Sequence, residues 1–127
     1  MLVIKITEKI RNYIRLIYYK IIFRNQIKLG KNITSRKNLN IRISKSAVLE
    51  IGNNCFFNNN LSIAAMKKIK IGSNSIFGEN IKIYDHNHVF NKNEILIKDS
   101  GYKVDEIIIG DNCWIGSNVV ILKGVTI

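Results

Sequence analysis

Ile109-Gly-Asp-Asn-Cys-Trp-Ile-Gly-Ser-Asn-Val-Val-Ile-Leu-Lys-Gly-Val-Thr-Ile127 contains three successive units of six residues with the same pattern. Five further units begin at Ile51, Phe57, Ile71, Phe77 and Ile83. The first residue of each unit is large and apolar. The fourth residue is one that tolerates a left-handed backbone conformation. In order along the chain, the fourth residues are Asn54, Asn60, Asn74, Asn80, His86, Asn112, Asn118 and Gly124.

This repeat predicts a parallel β-helix of short strands. Positions five and one point inward on either side of each turn, and position six between them points outward. Three strands make one coil of about 18 residues, and coils stack at the ~4.8 Å spacing of paired strands. Ile69 and Lys70 are interpreted as a two-residue insert at a turn. The absence of proline agrees with a long ladder of backbone hydrogen bonds.

Length and charge indicate one domain with two unlike parts. The chain has 127 residues, a hydrophobic content of 46% and a formal net charge of +11. Residues 1–45 hold 12 Lys and Arg and one acid, whereas residues 46–127 hold eight of each sign. The basic excess therefore lies in the N-terminal third, and the repeat body is neutral.

Residues 1–26 are predicted to form a basic amphipathic α-helix, and residues 27–127 the β-helical domain. The apolar residues that recur at helical spacing are Val3, Ile6, Ile10, Ile14, Ile17 and Ile21, with Lys and Arg between them. Uncharged stretches such as Leu16 to Tyr19 are too short to span a bilayer, and no cleavage site typical of a signal peptide follows. The expected location is the cytoplasm.

Three roles for this helix stay open. It could cap the open end of the β-helix or pair with a neighbouring subunit. It could also dock on an anionic membrane surface, which would place the protein peripherally at the inner face of the membrane. Nucleic-acid binding is disfavoured, because the basic residues form no known reader motif.

Both cysteines are interpreted as core thiols. Cys55 and Cys113 occupy position five of their units, where a small inward side chain is needed. The two cysteines are at least two coil spacings apart, roughly 9.6 Å or more, which is too far for a disulfide. A thiol nucleophile or a metal site is therefore not expected.

The repeat breaks once, between Ile83 and Ile107. Phe90 to Glu106 is a polar insertion, and long insertions in solenoids usually carry function. By the repeat phase, His88 faces outward between inward Asn87 and Val89. An exposed imidazole at the root of a loop is suited to general-base catalysis. His86 is interpreted as a turn residue, and Asp85 as either a hydrogen-bond acceptor for an imidazole or a turn former.

The units, the histidine followed by a loop and the restart at Trp114-Ile-Gly-Ser resemble the hexapeptide-repeat acetyltransferases. These proteins have a left-handed parallel β-helix, and the resemblance is especially to the galactoside, maltose and capsular-polysaccharide O-acetyltransferases. The resemblance covers residues 41–127. It implies an all-β fold and acetyl-CoA as the co-substrate. It also implies a homotrimer whose sites lie between subunits.

The resemblance also implies roles for single residues. His88 matches the histidine that takes the proton from the acceptor hydroxyl. Asn58 matches an asparagine on the acceptor side, and Asp85 is placed with it as substrate-binding. Trp114 matches a tryptophan near the pantetheine arm of the coenzyme, and Ser117 matches a serine that holds the thioester oxygen. An exposed tryptophan could equally pack in a trimer interface.

Two departures from the family pattern limit what can be carried over. Similar proteins continue into further coils that complete the coenzyme groove, and this sequence ends at Ile127. The C-terminal coils are therefore expected to be missing, as in a fragment. In addition, Ala65 and Met66 stand where galactoside-type members have acidic residues, so the acceptor cannot be inferred from them.

The expected function is transfer of an acetyl group from acetyl-CoA to a hydroxyl of a sugar or a surface-polysaccharide precursor. The alternatives are N-acetylation of an amino-sugar nucleotide and an inactive, truncated homologue. A zinc site like that of the γ-type carbonic anhydrases needs three histidines, and the sequence has only two. No metal is therefore expected.

Overall fold

The computed structural model describes residues 2–127. The chain starts with helix α1 (Leu2–Phe23) and a short 3₁₀ turn (Arg24–Gln26). A second 3₁₀ turn lies at Ile97–Asp99. The strands are β1 (Ile27–Leu29), β2 (Thr34–Ser35), β3 (Leu39–Ile43), β4 (Val48–Ile51), β5 (Phe56–Phe57), β6 (Leu61–Ala65), β7 (Lys68–Ile71), β8 (Ile76–Phe77), β9 (Ile81–Tyr84), β10 (His86–His88), β11 (Tyr102–Val104), β12 (Ile107–Ile109), β13 (Trp114–Ile115) and β14 (Val120–Leu122).

Twelve of these strands form three parallel sheets of four strands each. Sheet A is β1-β4-β7-β12, sheet B is β2-β5-β8-β13 and sheet C is β3-β6-β9-β14. The chain visits A, B and C in the same order four times within residues 27–122. It therefore winds four coils of a β-helix with three faces and three corners, and the predicted β-helix is confirmed.

Asparagines make the turns at two of the three corners. Asn54, Asn60, Asn74, Asn80, Asn112 and Asn118 have φ between 55° and 62°, as the repeat predicts, and Gly124 has φ of 79°. At the corner between sheets B and C, the side-chain amides form a ladder from Asn38 to Asn118 with N···O distances of 2.7–3.1 Å. The ladder links each coil to the next where the backbone turns.

The core runs along the axis of the coils. Inward positions five and one are buried in most units, for example Cys55 and Phe57. The rings of Phe57 and Phe77 lie 5.0 Å apart between their centroids. Ile69 and Lys70 are not an insert at a turn. They lie within β7, where they pair with Leu49 and Glu50, and Ile69 is fully buried.

Both thiols are free, but only Cys55 is a fully buried core thiol as predicted, and Cys113 packs against the edge of the core. Cys55 is buried, and Cys113 is partly exposed. The strands that follow Cys55 and Cys113 in the chain are β5 and β13, and both pair with β8. Phe56 lies beside Ile76, and Ile76 lies beside Trp114. One coil therefore lies between the two cysteines.

Helix α1 caps the first coil with polar side chains. Asn12 binds the carbonyl of Ile33 at 3.0 Å and accepts the N–H of Ser35 at 2.8 Å. The Tyr19 hydroxyl donates to Leu39 O at 2.9 Å and accepts from Ile41 N at 3.1 Å. These contacts satisfy the free edges of β2 and β3, so the predicted capping role is confirmed.

The predicted apolar stripe of α1 faces away from the coils. Leu16, Tyr19 and Phe23 contact the core from the inner side of the helix. The predicted stripe is exposed along its length, at Val3, Ile6, Ile10, Ile14, Ile17 and Ile21. Among the described residues, no helix is both long and apolar enough to cross a membrane.

Candidate functional site

The break in the repeat is a β-hairpin that leaves the corner between sheets C and A. β10 pairs with β11 in antiparallel register, with His86 opposite Val104 and His88 opposite Tyr102. The arm therefore starts four residues before the predicted insertion at 90–106. Its tip is not uniformly polar, because Phe90 is 75% exposed and Leu96 is 64% exposed.

His88 is exposed on one face of this hairpin. Its ring lies against Tyr102, with 4.6 Å between the centroids. Val89 is buried as predicted, but Asn87 is exposed rather than inward. The hairpin has left the coil at this point, so the phase of the repeat no longer decides which side chains are buried.

His86 shares that face and is better enclosed than His88. It is the first residue of β10 and not a left-handed turn residue, so that prediction is wrong. The ring of Tyr102 meets His86 almost edge-on, with 5.6 Å between centroids. Nδ1 of His86 lies 3.3 Å from Oδ1 of Asp85. A proton on Nδ1 would leave Nε2 as the acceptor nitrogen.

Asp85 anchors the base of the hairpin. Its carboxylate is fully buried and accepts the N–H of Met66 at 2.7 Å and the N–H of Lys67 at 2.8 Å. Its own carbonyl accepts the N–H of Asp105 at 2.9 Å. A carboxylate enclosed in this way cannot touch a substrate directly. Asp85 therefore positions the hairpin and the His86 ring, and the substrate-binding role expected from the sequence is revised.

A groove of about 260 Å³ lies beside the hairpin. Its walls include Arg42 and Ser44 from one coil, Ala65 and Met66 from the next, and His86 with Tyr102 from the arm. Ala65 contributes a small side chain to this lining, and Arg42 contributes a positive charge. Polar groups of this kind can bind hydroxyl and anionic groups of a ligand.

Asn58 and Ser117 lie at a different corner, between sheets B and C. Asn58 Oδ1 accepts the N–H of Asn59 at 2.9 Å and lies 3.5 Å from the Arg36 guanidinium. Ser117 is two coils further along the same corner. Its Oγ accepts the N–H of Glu79 at 2.9 Å, which leaves the hydroxyl proton available for donation.

Trp114 lies on the outer face of sheet B. Its side chain is 79% exposed, beside Ile76 on the neighbouring strand, which is 46% exposed. Phe56 continues this outward column on the next strand. An exposed aromatic and aliphatic column on a neutral sheet indicates a contact surface.

One chain does not bring the predicted site residues together. His88 and Asp85 are at the corner between sheets C and A, which is opposite sheet B in a three-sided coil. Trp114 is on sheet B, and Asn58 and Ser117 are at its edge with sheet C. Among residues 2–127, no cluster of three or more His, Cys, Asp or Glu side chains could hold a metal ion.

Tyr102 is the functional candidate that the sequence reasoning missed. It contacts both imidazoles, and it belongs to the returning strand of the hairpin. The alternation of Tyr102, Lys103 and Val104 after Gly101, which has φ of 80°, is the pattern that could have indicated this strand.

Comparison with known proteins places the fold. No protein-family profile matches the chain, and no curated protein matches it significantly. Among solved structures, a hexapeptide-repeat-containing acetyltransferase from Vibrio cholerae O1 biovar eltor, in complex with acetyl-coenzyme A, is 24% identical with a TM-score of 0.68. The match covers 86% of this chain and 58% of that protein. The fold is therefore the left-handed parallel β-helix of hexapeptide repeats, as the resemblance predicts.

Two further matches are distant. They are single-residue mutants of AntD, an N-acyltransferase from Bacillus cereus. One is in complex with dTDP and coenzyme A, at 17% identity and a TM-score of 0.38, covering 85% of this chain and 70% of that one. The other is in complex with dTDP-4-amino-4,6-dideoxyglucose and coenzyme A, at 18% identity and a TM-score of 0.30, covering 84% and 73%.

Proposed function

We propose that this chain, which shares its fold with a hexapeptide-repeat acetyltransferase, transfers an acetyl group from acetyl-CoA to a hydroxyl of a sugar or of a polysaccharide precursor. The observation that carries the proposal is the exposed His88 beside Tyr102, on an arm anchored by a buried carboxylate. An imidazole on a hairpin that is anchored at its base is held where an incoming hydroxyl can reach it.

The proposed reaction is a direct transfer. His88 takes the proton of the acceptor hydroxyl as its oxygen attacks the thioester carbon. The new C–O bond forms, the C–S bond breaks, and the coenzyme leaves as a thiol after it receives the proton. Negative charge develops on the carbonyl oxygen during the attack, and the Ser117 hydroxyl has its proton available to stabilise it. No metal is needed for these steps.

The proposed site is formed between two copies of the chain. His88 is on the hairpin at the corner between sheets C and A, and Ser117 is at the corner between sheets B and C, so we infer that a single copy does not present both to one substrate. A heterologous interface in a homotrimer would bring the hairpin of one copy to sheet B of the next. The exposed apolar tip at Phe90 and Leu96 and the exposed Ile76 and Trp114 are surfaces suited to such a contact.

Residues of this chain fit the co-substrate and the acceptor in distinct places. Trp114 offers an exposed apolar surface to the pantetheine arm of acetyl-CoA, with Ser117 three residues further along the chain. The groove beside His86 and Tyr102 offers Ser44 and Arg42 to the acceptor. We propose that the protein acts in the cytoplasm.

The test is release of free thiol from acetyl-CoA in the presence of a panel of sugars, sugar nucleotides and amino sugars. Three proteins are compared, namely the native chain, His88→Ala and His86→Ala. We expect acceptor-dependent release by the native chain, a loss of at least about 100-fold in His88→Ala and a smaller loss in His86→Ala. Turnover only with amines would contradict hydroxyl transfer, and full activity of His88→Ala would remove it as the base.

A further inference from the structure

The outer side of helix α1 is an apolar stripe that no part of the described chain covers. Val3, Ile6, Ile10, Ile14, Ile17 and Ile21 are the outer stripe, with exposures between 37% and 71%. At 1.5 Å per residue, the 22 residues of the helix extend about 33 Å. A contiguous apolar surface of this length on a helix indicates a binding surface.

Basic residues border the outer stripe on both sides. At 100° per residue, Lys9 and Lys20 lie along one flank and Arg11 along the other. All three are exposed. Glu8 is the only acid of the helix, and it lines the cavity between the helix and the first coil. The outer stripe therefore has exposed cationic side chains on both flanks, with Arg11 on one and, on the other, Lys9 and Lys20, which also border cavities against the first coil.

The capping contacts fix this orientation. Asn12, Arg15 and Tyr19 are held by hydrogen bonds to the first coil, so the helix cannot turn its stripe inward without uncovering strand edges. Ile residues that face solvent from a firmly held helix gain nothing from folding of this chain. A surface that buries them would lie outside the described chain.

We propose that α1 docks the protein on an anionic lipid surface, with the outer stripe in the interfacial layer and the Lys and Arg flanks at the phosphate headgroups. An apolar face with cationic borders is the composition of helices that lie in the plane of a bilayer. Anionic headgroups supply the counter-charge that the helix lacks. A second copy would instead bring Lys9, Lys20 and Arg11 of both chains together, and like charges would oppose that contact.

The experiment is co-sedimentation of the full chain with vesicles, without acetyl-CoA, so its outcome does not depend on acyl transfer. Phosphatidylcholine vesicles are compared with vesicles that also contain phosphatidylglycerol. The stripe variant is Ile10→Glu with Ile14→Glu, and its matched control is Val120→Glu with Leu122→Glu, two exposed apolar side chains of β14. The charge variant is Lys9→Gln with Lys20→Gln, and its control is Lys98→Gln with Lys103→Gln.

We expect binding to the anionic vesicles and little to the neutral ones. The stripe variant should lose at least about tenfold in partitioning, and the charge variant about fivefold for each lysine removed. Both controls should bind as the native chain does. Circular dichroism should show all variants folded, because the changed side chains are exposed.

Two results would overturn the proposal. One is binding that is absent, or equal for neutral and anionic vesicles. The other is a stripe variant that has a lower molar mass than the native chain by light scattering but binds vesicles equally well. The stripe would then be an interface between copies.

Discussion

The Asp85 carboxylate lies 3.3 Å from the imidazole of His86, and the same carboxylate holds two backbone N–H groups of the preceding coil. One buried group thus ties the turn of one coil, the base of the hairpin and a histidine ring together. His88, two residues further, lies against the ring of Tyr102. The arm that carries the candidate base is therefore set by Asp85.

Asp85→Asn should loosen this arm. The amide cannot accept both N–H groups as the carboxylate does, so a buried donor loses its partner. We expect a loss of about 2 to 4 kcal/mol in the free energy of unfolding, measured by urea denaturation. The matched control is Asp105→Asn, whose pair with Lys67 is half-exposed and should contribute about 0.5 kcal/mol or less. Equal losses in the two variants would contradict the anchoring role.

Gly78 and Gly116 offer a matched pair at the corner that carries Ser117. A Cβ on Gly78 would lie 2.6 Å from Ser117 Oγ, whereas a Cβ on Gly116 would meet nothing within 4 Å. Gly78→Ala should therefore displace Ser117, destabilise the fold by about 1 to 3 kcal/mol and raise the KM for acetyl-CoA. Gly116→Ala should stay within about 0.5 kcal/mol. Equal losses of stability in the two variants, measured by thermal unfolding, would contradict the close contact between Gly78 and Ser117.

Asn60 tests the turns of the repeat. It has φ of 62°, and its side chain bonds Asn38 at 2.7 Å and Asn80 at 3.0 Å. Asn60→Ala should lose about 2 to 3 kcal/mol of stability, because it loses two hydrogen bonds and strains the backbone. Asn60→Gly should be about 1 kcal/mol less destabilising, since glycine tolerates this φ. Thermal unfolding of the two variants would separate the backbone effect from the ladder.

The two thiols should react differently. Burial raises the pKa of the Cys55 thiol, which is 1% exposed, whereas Cys113 is partly exposed. Iodoacetamide should modify Cys113 first and Cys55 only on unfolding. A pKa that is raised in the folded state gives stability below the unfolded pKa, and this stability is lost as pH rises toward the folded pKa. The native chain should therefore lose more stability at alkaline pH than Cys55→Ala.

The turns and the coils could be predicted because their causes are local. A residue such as Asn74 tolerates positive φ, and the first residue of its unit, Ile71, is apolar and buried. The repeat even extends upstream of the recognised units, since Asn32 and Asn38 adopt the same conformation. Their units begin with Leu29 and Ser35, and the polar Ser35 hides the pattern.

The hairpin and the helix face depend on contacts that the repeat does not encode. The phase of the repeat predicts a turn at His86. The repeat no longer applies there, because the strand of His86 pairs with residues on the far side of the insertion. Periodicity located the apolar stripe of α1, but the polar residues Asn12 and Tyr19 decide which side meets the coils. The division of the site residues between two corners and the outer face of sheet B follows only from the order of the sheets.

The measurement that tests the central claim most directly is complementation between inactive chains. His88→Ala and Trp114→Ala are co-expressed, and thiol release is measured below the KM for acetyl-CoA with an acceptor found in the panel. In a trimer with sites between copies, about a quarter of the sites would pair an intact His88 with an intact Trp114 by random association. We expect about that fraction of native activity from the mixture and far less from either variant alone. A mixture no more active than the separate variants would contradict a site shared between two copies.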